Sequence, residues 1–241
     1  MQKLAIGLVA VAGMATVATA RPDPNLSLEF SSDDSTWVND ITVTPGSAVL
    51  VRVKMSIPDS YHGISGARYN IISTNAGGWD NGGNDTVDLT PGKGSATDGR
   101  LAGFDFGGQT QQIFEAVNSL RIDAKGDTGN SVNAGISTSQ NTPGALGTNF
   151  NTNKVAVVYK FRIQLSGNTD TRDIVLMIRD GINGTPDEIT SFKGYETSGS
   201  TAGVTIDGET GDVGTIRVEI PAPGAFALLG LGGLAAARRR R

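Results

Sequence analysis

The chain has no cysteine among its 241 residues, so neither a disulfide framework nor a thiolate metal site can form. It has a single histidine, His62. That excludes a histidine-rich zinc centre and leaves any Ser-His-Asp arrangement dependent on one imidazole. Ser65, within Gly63-Ile64-Ser65-Gly66, lacks the glycine spacing of a nucleophile elbow. A glycosidase needs two carboxylates close in space, and no segment groups the acids along one strand. The reading is therefore of a protein that is not an enzyme, with a surface glycoside hydrolase as the remotest alternative.

Excess positive charge is lacking too. The chain has 20 lysines and arginines against 24 aspartates and glutamates. Lys3 and Arg238 to Arg241 lie at the extreme ends, and without those five the remainder has 15 against 24, a net of −9. A body that acidic excludes nucleic acid and anionic lipid as natural partners.

What is present is concentrated at the termini. Met1-Gln2-Lys3 is a short positive start, Leu4 to Val17 is apolar, and Ala18-Thr19-Ala20 offers small residues for signal peptidase. Residues 1–20 read as a secretory signal peptide cut after Ala20. Arg21-Pro22-Asp23-Pro24 would stop a helix there in any case. At the other end, Ile220 to Ala237 is an 18-residue stretch without a charged side chain, about the shortest that crosses a hydrocarbon core as a helix. Arg238, Arg239, Arg240 and Arg241 follow it directly; they stop transfer and keep that end cytoplasmic.

The order Pro221-Ala222-Pro223-Gly224, then Leu228-Leu229-Gly230-Leu231-Gly232-Gly233-Leu234, then four arginines resembles a PEP-CTERM sorting signal, the bacterial tag handled by exosortase. Ala222 stands where that family's motif has glutamate. The resemblance covers residues 220–241 and implies export, a transient membrane handle, cutting near Pro221 to Pro223, and delivery to the cell surface or extracellular matrix. The alternative is a permanent single-pass anchor, for which the glycine-rich span is short and poorly helical.

Between the ends, residues 21–219 read as one all-β domain, a single antiparallel β-sandwich. About 200 residues suffice for a sizeable core without staples. Val49, Val51, Val53, Met55 and Ile57 alternate with Leu50, Arg52, Lys54 and Ser56; Val155, Val157, Tyr159, Phe161, Ile163 and Leu165 do the same against Lys160, Arg162 and Gln164; and Ile174, Leu176 and Ile178 follow after a turn at residues 166–170. The spacing predicts strands over 154–165 and 173–179 as neighbours. Weaker strands are predicted over 26–30, 36–43, 64–72, 101–106, 120–123, 203–207 and 213–219. Residues 109–118 are the one helical candidate. With no βαβ alternation the strands form an antiparallel sandwich. Residues 75–99 and 126–153 are polar and glycine-rich enough to read as two long loops.

Pro45-Gly46-Ser47, the alternating strand after it, and Gly63-Ile64-Ser65-Gly66-Ala67-Arg68-Tyr69 resemble the opening of cohesin-type jelly-roll sandwiches. That likeness implies a jelly roll and a recognition module as alternative function, with dockerin-type partners its remotest consequence.

Two candidate sites remain. Asp80, Asn81, Asn84, Asp85 and Asp88 put oxygen-bearing side chains in one loop, ligands suited to Ca2+, although Asx-rich turns also arise from backbone capping alone. Asp207 to Asp212 is a second acidic turn. Trp79, between Gly78 and Asp80, is the candidate contact for a surface polysaccharide, since sugar faces stack on exposed indoles; the alternative is an anchor packed on the sandwich. Trp37 is expected to face the core. The role expected for the chain is that of an exported structural or adhesive protein.

Overall fold

The computed structural model describes residues 25–73, 78–80, 85–93, 98–107, 111–116, 119–124, 135–143, 151–168, 170–180, 191–206 and 212–220. Ala18, Ala20, Asn81, Asn84, residues 207–211 and residues 221–241, with Pro221 to Gly224 and Arg238 to Arg241, lie outside them. Within them the chain is an antiparallel β-sandwich of jelly-roll type.

The first sheet has the order β1-β3-β9-β5: β1 (Asn25–Ser31), β3 (Ala48–Ser56), β9 (Val155–Gln164) and β5 (Thr86–Asp88). The second runs β12-β11-β4-β10-β13-β2: β12 (Val204–Thr205), β11 (Lys193–Tyr195), β4 (Gly63–Ser73), β10 (Arg172–Asp180), β13 (Val213–Val218) and β2 (Asp40–Val43). Three further strands join it. β7 (Ser119–Ala124) and β8 (Ile136–Ser139) pair with β4, and β6 (Gln111–Ala116) pairs with β7. The long β4 holds β11 and β10 in succession on one edge and β8 and β7 on the other. One single-turn helix, α1 (Thr90–Lys93), follows β5.

Alternation of apolar residues sets the inner faces. Leu28, Phe30, Val51, Val53, Met55, Phe161 and Ile163 from the first sheet meet Tyr69, Ile71, Ile174, Leu176, Ile178, Ile216 and Val218 from the second, all buried. Two glycines are demanded by geometry. Gly46, with φ +79°, turns the chain from β2 into β3 in a conformation that costs a side chain strain. Gly214 lets Phe30 reach β13, where an added Cβ would lie 2.4 Å from Phe30 Cε2.

Several expectations are corrected. The one helical candidate, 109–118, is strand where it is described: Gln111–Ala116 is β6, because pairing with β7 overrides a short apolar spacing. β9 and β10 are sequential but not paired. The 165–171 connection carries the chain from the first sheet to the second, and β10 lies between β4 and β13. The even spacing of β9 also breaks. A bulge opposite Val53 and Lys54 skips one residue, so Ala156 and Val158 point inward, and Val155 is 49% exposed. Residues 101–106 contribute no strand; only Arg100 and Asp105 form isolated bridges, to Tyr159 and Ser139. In the expected strand 36–43, only Asp40–Val43 pairs as one. The two long loops are not loops throughout. The first supplies β5, α1 and the buried Trp79 and Leu89; the second supplies β8 with buried Ile136.

Candidate functional site

The loop carboxylates come first. Asp85 is buried, its side chain fully screened from water, and pairs with Arg172 at the start of β10 (Nη2 to Oδ1, 2.7 Å). The same oxygen accepts the Ser166 N–H at 2.7 Å, and Oδ2 accepts the Asp80 N–H at 2.8 Å. Asp80 Oδ2 in turn accepts the Ser166 hydroxyl at 3.1 Å and the Asn168 amide at 3.0 Å. Arg172 also donates to Ser166 Oγ at 3.2 Å. A buried carboxylate needs such compensation to stay charged. The network clamps Asp80 and Asp85 onto the connection between β9 and β10.

The expected cation set is therefore divided. Asp80 and Asp85 meet, but Asp85 is neutralised by an internal guanidinium. Asp88, on β5, faces the outer side of the first sheet. Its carboxylate accepts the Thr90 hydroxyl at 2.6 Å and the Thr90 N–H at 2.9 Å and lies 3.6 Å from Arg162. The Thr90 hydroxyl, then the Thr90 N–H, hold Asp88 below the usual carboxylate range. Among the described residues no three carboxylate or imidazole groups converge as a metal cluster.

Trp79 does not offer a face to a sugar. It is 0% exposed and belongs to the core, and its indole Nε1 has no hydrogen-bond partner. The next-door clamp explains the burial: Asp80 is tied to Asp85, which draws the preceding residue inward. Trp37 is corrected in the opposite direction. It lies half-buried against the outer face of the first sheet, with the Arg52 guanidinium 4.1 Å from its ring centroid and Lys160 Nζ 5.7 Å away. Arg52 and Lys54 both bind Glu29, at 2.6 Å and 2.8 Å, and Lys160 binds Asp34 at 2.7 Å. Burial pushes the Glu29 carboxyl up, but the hydrogen bonds from Lys54 and Arg52 outweigh it and leave the group below its ordinary value. The alternation of β3 already placed Arg52 and Lys54 on the solvent side. No local signal placed Trp37 over them, nor marked Arg172 as the partner of Asp85.

His62 is half-buried and donates its backbone N–H to the Tyr195 carbonyl at 2.6 Å. Ser65 lies within β4, packed so closely to Gly203 that a Cβ there would be 2.3 Å from its hydroxyl.

The chain termini are the remaining site. Asn25 opens β1 opposite Ser56, the last residue of β3. β13 runs in the same direction as β1 and ends at the opposite pole, between β10 on one edge and β2, in parallel, on the other. The Glu219 N–H donates to Val43 O at 2.9 Å, and Ile220 is exposed. The fold is thus fastened up to Glu219, two residues before Pro221. Among the described residues no helix is long and apolar enough to cross a membrane.

No protein-family model matches the sequence, and no curated protein matches it. Solved structures do resemble the backbone. The seventh ScaB type I cohesin from Pseudobacteroides cellulosolvens is 14% identical over 83% of this chain and 95% of its own, with a TM-score of 0.46. CaCohA2 from Clostridium acetobutylicum is 14% identical over 83% and 94%, with a TM-score of 0.42. The D312A variant of BcpA, the major pilin subunit of Bacillus cereus, is 9% identical over 81% of this chain and 40% of its own, at 0.34.

Proposed function

We propose that the protein is an exported, non-catalytic β-sandwich with a structural or adhesive role at the cell surface or in the extracellular matrix. A signal peptide, residues 1–20, sends it across the membrane, and an exosortase-type tail, residues 220–241, holds and then releases it. The observation that carries this reading is the fit between fold and cut points. The hydrogen-bonded body runs from Asn25 to Glu219, between the expected cleavages after Ala20 and near Pro221 to Pro223. Both cuts therefore leave every described strand intact. The carboxylates of the described loop are taken up by Arg172, Thr90 and backbone N–H groups, which supports a scaffold in preference to a catalytic site.

Mass spectrometry of the native protein released from the cell surface tests this directly. The expected product begins near Arg21 and ends within Pro221 to Gly224. An uncut polypeptide in the cytosol rejects the reading. A recognition module is the second reading, supported by the Trp37 ring set among Arg52, Lys160, Glu29 and Asp34 on the outer sheet face. Polysaccharide or protein ligands that quench emission in the wild type but not in Trp37→Phe would favour it.

A further inference from the structure

We propose that, while its tail is attached, the protein stands on the bilayer in a fixed sense. The pole built by the Thr44–Ser47 turn and the 165–171 connection faces the lipid, and the pole built by residues 57–62 and the start of β1 points away. The proposal rests on the membrane-handle reading of residues 220–241 and adds which surface of the body meets the membrane.

The topology defines the poles. β2 ends at Val43, and its tight turn leads into β3 at Ala48; β13 runs parallel to β2 and ends beside it, at Val218 opposite Val43. β10 begins at the same end, with Arg172 opposite Val218. The 165–171 connection is tied there by Gly46 N–H to Ser166 O at 2.8 Å and Leu165 N–H to Ser47 O at 2.9 Å. β3 then runs away for nine residues, about 30 Å at a strand's rise. It reaches the end where β1 starts and where Ile57 N–H bonds Lys154 O.

There is little slack between this pole and the membrane. The uncharged run begins at Ile220, immediately after the residue bonded to Val43. Its 18 residues extend about 27 Å as a helix, just short of the roughly 30 Å hydrocarbon thickness. Even with the cut site at Pro221 to Pro223 held outside the hydrocarbon, no more than residues 220–224 separate Glu219 from the bilayer.

Surface charge does not supply the attachment. Residues 43–48, 164–168, 170–171 and 219–220 contain no lysine or arginine, and their ionisable side chains are Asp170 and Glu219. The nearest cation, Arg172, is buried against Asp85 at 2.7 Å, and Arg162 and Arg217, the next along these strands, face Asp88 at 3.6 Å and Asp173 at 2.9 Å. The body is held by its tether and has nothing to retain it on anionic headgroups once the tether is cut.

The cysteine-free chain makes a clean test. Thr171→Cys and Ser60→Cys, both at exposed positions on opposite poles, are introduced singly into the full tail-bearing chain without its signal peptide (residues 21–241) and labelled with a donor dye. Each is reconstituted into phosphatidylethanolamine vesicles, with and without phosphatidylglycerol, that contain a headgroup acceptor. Transfer several times stronger from position 171 than from position 60, the same in both lipid mixtures, is the expected result. Equal or reversed transfer in protein that floats with the vesicles overturns the orientation and leaves the membrane handle standing. Transfer from position 171 that strengthens with phosphatidylglycerol overturns the tether-only attachment. Full chain that fails to float with vesicles removes the membrane handle, and the proposal with it.

Discussion

Replacing Arg172 by methionine isolates the internal ion pair. The substitution keeps the length of the side chain but leaves Asp85 buried, with the Ser166 and Asp80 N–H groups as its remaining donors. Removing one partner of a buried pair costs about 3–5 kcal/mol, because the other charge stays uncompensated. For a body of this size each kcal/mol moves the melting midpoint by about 2–4 °C, so a fall of roughly 6–20 °C is expected. Urea unfolding followed by circular dichroism gives the free energy, and emission from the neighbouring Trp79 reports whether the 78–85 segment opens first. Asp85→Leu combined with Arg172→Met should lose less than the two single losses summed, since no lone charge remains. A cost below about 1 kcal/mol for Arg172→Met would refute the reasoning: solvent would then reach Asp85, and the pair would behave like an exposed one.

Further outcomes follow from other particular contacts. Gly214→Ala should destabilise by about 2–4 kcal/mol through overpacking against Phe30. Gly46→Ala, with open space around it, should lose only about 1 kcal/mol of backbone strain; paired thermal melts rank them, and the reverse order would be wrong for this packing. Asp33, which accepts first the Thr36 N–H and then that of Ser35, is held well below the usual carboxylate range. Its contribution is therefore full above the unfolded value of about 3.9 and fades as pH falls below that. Asp33→Asn should flatten the acid limb of the stability curve in that window, and an unchanged limb counts against the Asx turn. With Asp85 paired to Arg172, chelator and millimolar calcium should give the same melting midpoint; a rise with calcium would require ligands beyond the described carboxylates.

Alternation made the strands legible and left their partners hidden. The periodic residues of β3 and β10 marked their inner faces correctly, because a half-buried strand exposes that pattern locally. Nothing local in Ile174, Leu176 and Ile178 says that β4 and β13 flank them, so β9 and β10 read as neighbours although they sit in different sheets. The bulge that turns Val157 outward and Val158 inward is equally invisible, since it depends on the register with β3. Gly78-Trp79-Asp80 looked exposed because its composition is that of a loop. The indole is packed into the core, beside a clamp completed by Arg172, about ninety residues later, on Asp85. Trp37 erred the other way: its apolar neighbour Val38 suggested a core position, whereas the cations of β3 and β9 hold it outside. The candidate cation loop reads in sequence as a cluster of oxygen ligands, and nothing local shows that one of them, Asp85, is paired with the distant Arg172.

The last strand has a mechanical consequence. β13 is zipped along both edges, antiparallel to β10 and parallel to a strand from the N-terminal quarter of the chain, and the two ends of the body leave at opposite poles. A pull between the termini drags β13 lengthwise past its neighbours, so its rungs must shear together and cannot peel one by one. Single-molecule stretching should show one abrupt high-force rupture. A body built this way resists tugging along the line from Asn25 to Glu219.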